Sequence, residues 1–277
     1  MRVKEIDQQF LRVVGLPHME LRSTRCSYQG YKAHSHSEFS IGYLHSGMTC
    51  LTSNGREHQI QQGDLVIIEP GKVHACNPIG GGSRGYHMLY IDAQWCLEWL
   101  SALYAKPVSE FCCEQAVIHD PKVIEPFLTL VNLLQRGHVR AASEQLDYLA
   151  VALLAPYCAP VDTAGISYER SVRLKQQLLI DLSNPPALDQ LAEAEGCSRE
   201  ALIRLFKRHY GITPIAFANN ARIEHAKLML RQGRAIVDVA QEVGFADQSQ
   251  FHRTFVNYTA STPRQYQQTG SISDNNG

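Results

Sequence analysis

Between Leu188 and Tyr266 the chain writes one pattern twice: a short helix, a tight turn and a second helix. A duplicated pattern has to fold the same way twice, and that limits this region more than any other feature does. The first copy runs Leu188-Asp189-Gln190-Leu191-Ala192, then Gly196, then Ser198 to His209, and closes on Gly211-Ile212-Thr213-Pro214. The second runs Val237-Asp238-Val239-Ala240, then Gly244, then Asp247 to Asn257, and closes on Ala260-Ser261-Thr262-Pro263. Leu202, Arg204, Phe206 and Pro214 recur 49 positions later as Phe251, Arg253, Phe255 and Pro263, whereas Ala192 and Gly196 recur 48 later as Ala240 and Gly244. The second turn is therefore one residue longer.

Each copy has a small Ala on its first helix, a turn Gly, and a polar N-cap residue, Ser198 or Asp247, before its second helix. A plain helical hairpin would share these signals. The outer faces add something more. With Leu202, Leu205 and Phe206 turned to a core, the 100° step leaves Glu200, Arg204 and Lys207 outward, with Ile203 and Arg208 at the margins. In the second copy Phe251 and Phe255 face the core, so Ser249, Arg253 and Val256 are expected outside, flanked by Gln250 and His252. Such side chains bond base edges and phosphates, as a recognition helix in the major groove must. Pro214 to Leu230 reads as one connecting helix with Gly233 past its end. It is a bar of roughly 25 Å that could hold two reading heads over neighbouring grooves about 34 Å apart.

A chain of 277 residues is too long for this region alone and predicts two cores. The net charge of −1 hides a DNA partner, because residues 1 to 167 hold 13 Lys+Arg against 16 Asp+Glu while 168 to 277 hold 13 against 11. That mild excess leaves much of the affinity to specific contacts and dimerisation. The first residues contain no apolar run of signal-peptide length and no stretch approaches a membrane span, so a cytoplasmic protein is expected. Eight cysteines (26, 50, 76, 96, 112, 113, 158 and 197) include no C-x-x-C pair and read as a reduced, mostly buried set, with redox sensing as the alternative.

The N-terminal half is written differently. Met19 to Cys26 reads as a strand, and from Tyr31 to Ile91 short β runs are broken by Ser46-Gly47, Asn54-Gly55, Gln62-Gly63-Asp64, Pro70-Gly71 and Gly80-Gly81-Gly82. Strands at this spacing argue for an antiparallel barrel or jelly roll. Alternation along an uninterrupted strand would put His34, His36, Glu38 and Ser40 on one face, and Met88 and Tyr90 of the run Tyr86 to Ile91 on another inward face. They would form a polar pocket floor for a small effector, or a set of hydrogen-bonded core residues. Asp92 to Tyr104, Pro121 to Arg136 and Ala142 to Tyr157 follow with helical spacing of apolar residues. The expected organisation is α+β in two domains: an effector and dimerisation domain over 1–157, a linker over 158–167, an all-α DNA-binding domain over 168–269 opened by a helix from Ser171 to Leu182, and a disordered tail over 270–277.

Val243-Gly244-Phe245, Gln250-Phe251-His252-Arg253-Thr254-Phe255 and Thr262-Pro263-Arg264-Gln265-Tyr266 resemble the signature of the AraC/XylS family of bacterial transcription regulators. That resemblance implies a seven-helix domain with two helix-turn-helix units, usually the C-terminal half of an activator that contacts RNA polymerase. It places the base-reading positions at Arg199, Glu200, Ile203 and Arg204 and at Gln248, Ser249, Gln250 and Arg253, with Ile203 departing from the polar residue common there. His34-Ser35-His36-Ser37-Glu38-Phe39 and Gly63-Asp64-Leu65-Val66-Ile67-Ile68-Glu69-Pro70-Gly71-Lys72-Val73-His74 resemble the paired motifs of the cupin barrel, a fold similar to the AraC-type effector domain. In metal-binding cupins three His and a Glu converge on one ion. Here His34, His36 and His74 fill the His places, while Ser40 and Ile41 stand where the Glu is expected.

The resemblance thus implies a DNA-binding regulator controlled by a small molecule in the barrel, with the two helices before residue 157 either forming a homodimer face or packing on their own barrel. Two alternatives stay open: a metal-dependent cupin enzyme with an accessory DNA-binding domain, holding a divalent ion on His34, His36 and His74, and a dimeric DNA binder that senses nothing. The runs His74-Ala75-Cys76-Asn77-Pro78 and Tyr86 to Tyr90 are similar to regulators associated with amino-acid exporters, which makes an amino acid the expected effector.

Overall fold

The computed structural model describes residues 7–53, 55–161, 166–268 and 270–272. The N-terminal half opens with β1 (Asp7–Val13), β2 (Leu16–Ser27), β3 (Phe39–Ser46), β4 (Met48–Ser53), β5 (Arg56–Gln61), β6 (Leu65–Ile68), β7 (His74–Pro78) and β8 (Arg84–Ile91). After α1 (Ala93–Tyr104) come β9 (Phe111–Cys113), β10 (Val117–Ile118), α2 (Pro121–Gln135), α3 (Val139–Tyr157) and β11 (Cys158–Pro160). The last strand, β12 (Gly270–Ile272), returns from the far end of the chain. The large sheet has the order β10-β6-β3-β8-β2-β1-β12, and β5-β4-β7 forms a second sheet facing it.

Period-2 alternation gives the large sheet two different faces. Phe39 and Ile41 of β3 and Leu89 and Ile91 of β8 join one core with Phe127, Leu130, Leu146, Leu149 and Leu153 of α2 and α3. The intervening residues Gly42, Leu44, Tyr86, Met88 and Tyr90 point the other way, into the space between the sheets. The apolar stripes of α2 and α3 are therefore used on their own barrel, and a dimer face, if these helices supply one, has to be their outer side. Side-chain oxygens of Asp92 and Asp120 accept backbone N–H groups at the starts of α1 and α2.

The C-terminal half is α4 (Ile166–Ile180), α5 (Leu188–Ala194), α6 (Arg199–Tyr210), α7 (Pro214–Arg231), α8 (Ile236–Glu242), α9 (Gln248–Thr259) and α10 (Pro263–Gln267). The duplicated pattern becomes α5–α6 and α8–α9, with Ser198 and Asp247 capping the second helix of each pair. Gly244 is at φ +81°, and a Cβ there would run into the backbone of Ser183, so no other residue fits this turn as it stands. At 1.5 Å per residue α7 is a bar of roughly 27 Å.

Several sequence expectations are corrected. α3 starts at Val139, not Ala142, because Val139 and Ala142 both reach the core. The first helix of the C-terminal half spans Ile166–Ile180, earlier than Ser171 to Leu182. Within the expected linker Cys158–Pro160 pairs with β9, which brings Cys158 Sγ to 3.2 Å from Cys113 Sγ; residues 162–165 lie outside the described residues. A hydrogen bond to Cys158 and burial raise the Cys113 thiol, so it is a poor nucleophile. The tail expected to be disordered contributes β12, parallel to β1 with Leu11 opposite Gly270, while 273–277 lie outside the described residues. Among the described residues no helix is long and apolar enough to cross a membrane.

Candidate functional site

Two features call for chemistry: the outer faces of α6 and α9, and the space between the sheets. On α6, Arg199, Glu200, Arg204 and Lys207 are exposed, while Ile203 is half-buried and packs on the core beneath. On α9, Gln248, Ser249, Gln250 and Arg253 are exposed. Val256, expected outside, is buried at 6%, near the end of α9 where the Asn257 and Thr259 carbonyls accept from Lys32 and Arg22 of the barrel half. Some of these groups already have partners. Arg199 lies 3.4 Å from Asp189, and the Gln250 side chain accepts the Ala246 N–H, so both would have to exchange partners to meet a base.

The cavity between the sheets has a volume of about 60 Å³. Gly42 keeps its wall open, since a Cβ there would meet Met88 and Val66 at 2.9 Å. His34, His36 and His74 gather at one end, with one ring nitrogen of each within 4.8 Å of the others. Their backbones set this up: His34 bridges to His74 between strands, and His36 lies two residues further along. Each Nδ1 donates to a carbonyl two residues away: Lys32, Glu38 and Lys72 respectively. Those bonds fix the tautomer, so each Nε2 carries a lone pair. Burial, reinforced by the neighbouring imidazoles, lowers all three to about 3, and they are neutral at pH 7.

Glu38 does not join them. The chain bends at Ser37 and Glu38 before β3 begins, which breaks the alternation, and the carboxylate turns toward Lys227 of α7. Burial alone would raise its pKa, but Lys227 and His36 hold it down to about 2. Ser40 keeps its place, with its hydroxyl 3.4 Å from His36 Nε2. The donor set is thus three imidazoles without a carboxylate. Three neutral nitrogens anchored through Nδ1 fit a divalent ion, though the four-ligand cupin set is incomplete.

Met88 and Tyr90 line the cavity as their strand parity requires, and burial pushes the Tyr90 hydroxyl up to about 12. Tyr31, Arg84 and Tyr86 line it too, none of which the sequence reading singled out. A signal was available. Arg84, Tyr86, Met88 and Tyr90 share one parity, so an inward face that admits Met88 and Tyr90 also admits an arginine.

The cavity abuts the DNA-binding half. A narrower cleft of about 30 Å³ shares Tyr31, His34, His36 and Tyr90 with it, and its other wall comes from Lys227 of α7, Tyr258 and Thr259 of α9, and Tyr266 of α10. Across this seam Arg22 donates to the Thr259 carbonyl at 2.8 Å, and Asn220 donates to the Ser35 carbonyl at 2.5 Å. Glu20 is held by Arg12 at 2.5 Å and Arg231 at 3.1 Å.

Known proteins agree with this architecture. Residues 16–151 match the AraC-like ligand binding domain and residues 191–269 a helix-turn-helix domain. A ligand-binding barrel ahead of a doubled helix-turn-helix defines a two-domain transcription regulator. The chain belongs to the AraC/XylS family. It is 33% identical over 285 residues to an uncharacterized HTH-type transcriptional regulator of Haemophilus influenzae, covering 90% of this chain and 94% of that one. It is 26% identical over 228 residues to the arabinose operon regulatory protein of Escherichia coli, covering 79% of this chain and 77% of that one. The crystal structure of an apo ToxT variant from Vibrio cholerae superposes with a TM-score of 0.59 at 13% identity, over 90% of this chain and 97% of that one, which shows the shared fold.

Proposed function

We propose that α6 and α9 read two neighbouring major-groove segments, that a small molecule in the barrel cavity controls how they are presented, and that the signal passes through the seam. The supporting observation is that four side chains, Tyr31, His34, His36 and Tyr90, line both the cavity and the cleft against α7, α9 and α10. A ligand that moves any of them moves a wall of the DNA-binding half. The effector site on this reading comprises His34, His36, His74, Met88 and Tyr90, with an amino acid as the first compound to try; Glu38 serves the seam instead. The chain acts as an activator that contacts RNA polymerase in the cytoplasm. It works as a homodimer through the outer side of α3, where Tyr148 and Val151 are exposed at 60% and 53%.

Selecting random double-stranded DNA with the full-length chain tests the DNA half. Two sequence blocks about 10 base pairs apart are expected. Arg204→Ala and Arg253→Ala should each weaken binding by roughly 5- to 150-fold, about 1–3 kcal/mol, and relax one position. If both variants keep full affinity and selectivity, the assigned reading faces are wrong. For the barrel, Met88→Trp fills the cavity and should alter output from a reporter driven by the selected operator; unchanged output refutes effector control.

A second reading rests on the three imidazoles: a divalent ion bound by His34, His36 and His74, either as the effector or beside it. The ion would supply Lewis acidity and a fixed positive charge. Equilibrium dialysis with cobalt(II) decides it, since one ion per chain, lost in His74→Ala, is required.

A further inference from the structure

The cavity wall contains a buried charge that no carboxylate among the described residues balances. Arg84 stands at the start of β8, is 1% exposed, and lines the cavity wall. Its Nη2 donates to the carbonyls of Gln29 and Cys76, both at 3.0 Å. Its Nη1 is buried and meets no hydrogen-bond partner. Tyr31 and Tyr86 rings lie 5.7 and 5.6 Å from the guanidinium, and their hydroxyls bond each other at 2.5 Å. Among the described residues no carboxylate comes within ion-pair distance of Arg84, nor of the neighbouring buried Arg22. Arg22 differs in one respect, because its nitrogens are taken by Thr24, Thr259 and Gln8. An arginine cannot shed its proton, and a buried unpaired cation with a donor left over is costly unless something else meets it.

The histidines in the cavity wall have the reverse polarity. Nε2 of His34, His36 and His74 offer lone pairs, and among the described residues the side-chain hydroxyl that reaches one of them is Ser40, 3.4 Å from His36 Nε2. Leu44, Ile60, Val66 and Met88 supply apolar wall to the same cavity. We infer that the effector is a small organic acid whose carboxylate binds Arg84 Nη1 and which also carries an N–H or O–H group donated to the imidazoles. Zwitterionic α-amino acids and α-hydroxy acids have this polarity. A cavity of about 60 Å³ holds only a few heavy atoms beyond the carboxylate. Because each Nδ1 already donates to a backbone carbonyl, each Nε2 is placed to accept from such a ligand. This inference rests on the barrel being the effector site.

The test uses the full-length chain and calorimetric titration with glycine, L-alanine, L-serine and L-lactate, each against its amide, and with sodium chloride and phosphate alone. At least one acid should bind roughly 10- to 150-fold more tightly than its amide, the factor expected of a charge-assisted hydrogen bond. In Arg84→Gln the acid should bind no better than the amide. Arg84→Lys, which keeps the charge should the neutral variant fail to fold, should preserve the order of preference. Acid and amide binding alike, phosphate or chloride binding as well as the acids, or no acid binding at millimolar concentration each overturn the inference. Amide binding alone would leave the cavity an effector site of other chemistry. If no compound binds, reporter output of Met88→Trp decides the effector reading separately: altered output retains it, unchanged output ends it.

Discussion

The two helix-turn-helix units share a sequence pattern but not their surroundings. The first is built on Leu188, Leu191, Leu202 and Phe206 of α5 and α6 together with Leu174 and Leu178 of α4, without a residue from the barrel. The second shares its core with the barrel, because Phe10 of β1 packs among Phe251, Phe255 and Tyr266. Phe10 meets the Tyr266 ring edge-on at 5.1 Å, and the Lys32 N–H donates to the Asn257 carbonyl at 3.1 Å. The first unit meets the barrel at its margin, where Val73 lies against Gly211. One unit is thus fastened to the sensing domain and the other is carried at the end of α7. On the proposed reading, a signal from the cavity would enter through the second unit, and the first would follow through α7.

The sharpest way to break this comparison is to cut a phenylalanine from each core. Phe206 and Phe255 are both 0% exposed, so each change to Ala should cost about 3–5 kcal/mol. Their reach should differ. Phe255→Ala should speed amide exchange in β1 as well as α9, whereas Phe206→Ala should loosen α5 and α6 and leave β1 protected. Equal loss of protection in β1 would show that the two units are coupled to the barrel alike.

Acid should act on the fastened side first. The buried imidazoles of His34, His36 and His74 titrate at about 3, against 6.5 for an unfolded histidine. Between those values the unfolded chain binds more protons, so stability is present above pH 6.5 and is lost as pH falls. Moving from pH 7 to 5.5 should cost roughly 1 kcal/mol per imidazole. Glu38, held at about 2, adds a loss that begins only as pH drops below its ordinary 4.5. A thermal melt that stays flat from pH 7 to 5.5, or one that steepens equally in a His34→Asn/His36→Asn/His74→Asn protein, would contradict this account.

The doubled reading unit was legible because it rests on local signals: N-caps at Ser198 and Asp247, turn glycines, and Phe206 and Phe255 at matched positions. The barrel was legible as strands and turns, and strand parity put Met88 and Tyr90 inside. The seam was not, because nothing local in Glu20, Arg22 or Lys227 shows that residues some two hundred positions apart will meet. Glu38 was misplaced for a related reason: alternation holds only while the strand continues, and a bend at Ser37 ends it. Val256 is assigned outward by a helical wheel drawn for α9 alone, whereas the C-terminal end of that helix is held against the barrel half through Asn257 and Thr259.

The smallest effect separates the units at their outer edges. α6 ends with Lys207, Arg208 and His209 in its last turn, whereas α9 has no basic residue there. Cations at a helix C-terminus are favourable in themselves, by typically 0.3–1 kcal/mol for exposed groups, so Lys207 could serve the fold alone. A phosphate contact makes a different demand, since it releases a counterion and so enters the salt dependence of DNA binding. Lys207→Ala should weaken all sequences about equally and shallow the plot of log K against log salt by about 1, while Asn257→Ala on α9 should leave that slope unchanged. If Lys207→Ala lowers the melting temperature slightly but leaves the slope alone, its role is to cap α6, and the first unit grips the backbone no more firmly than the second.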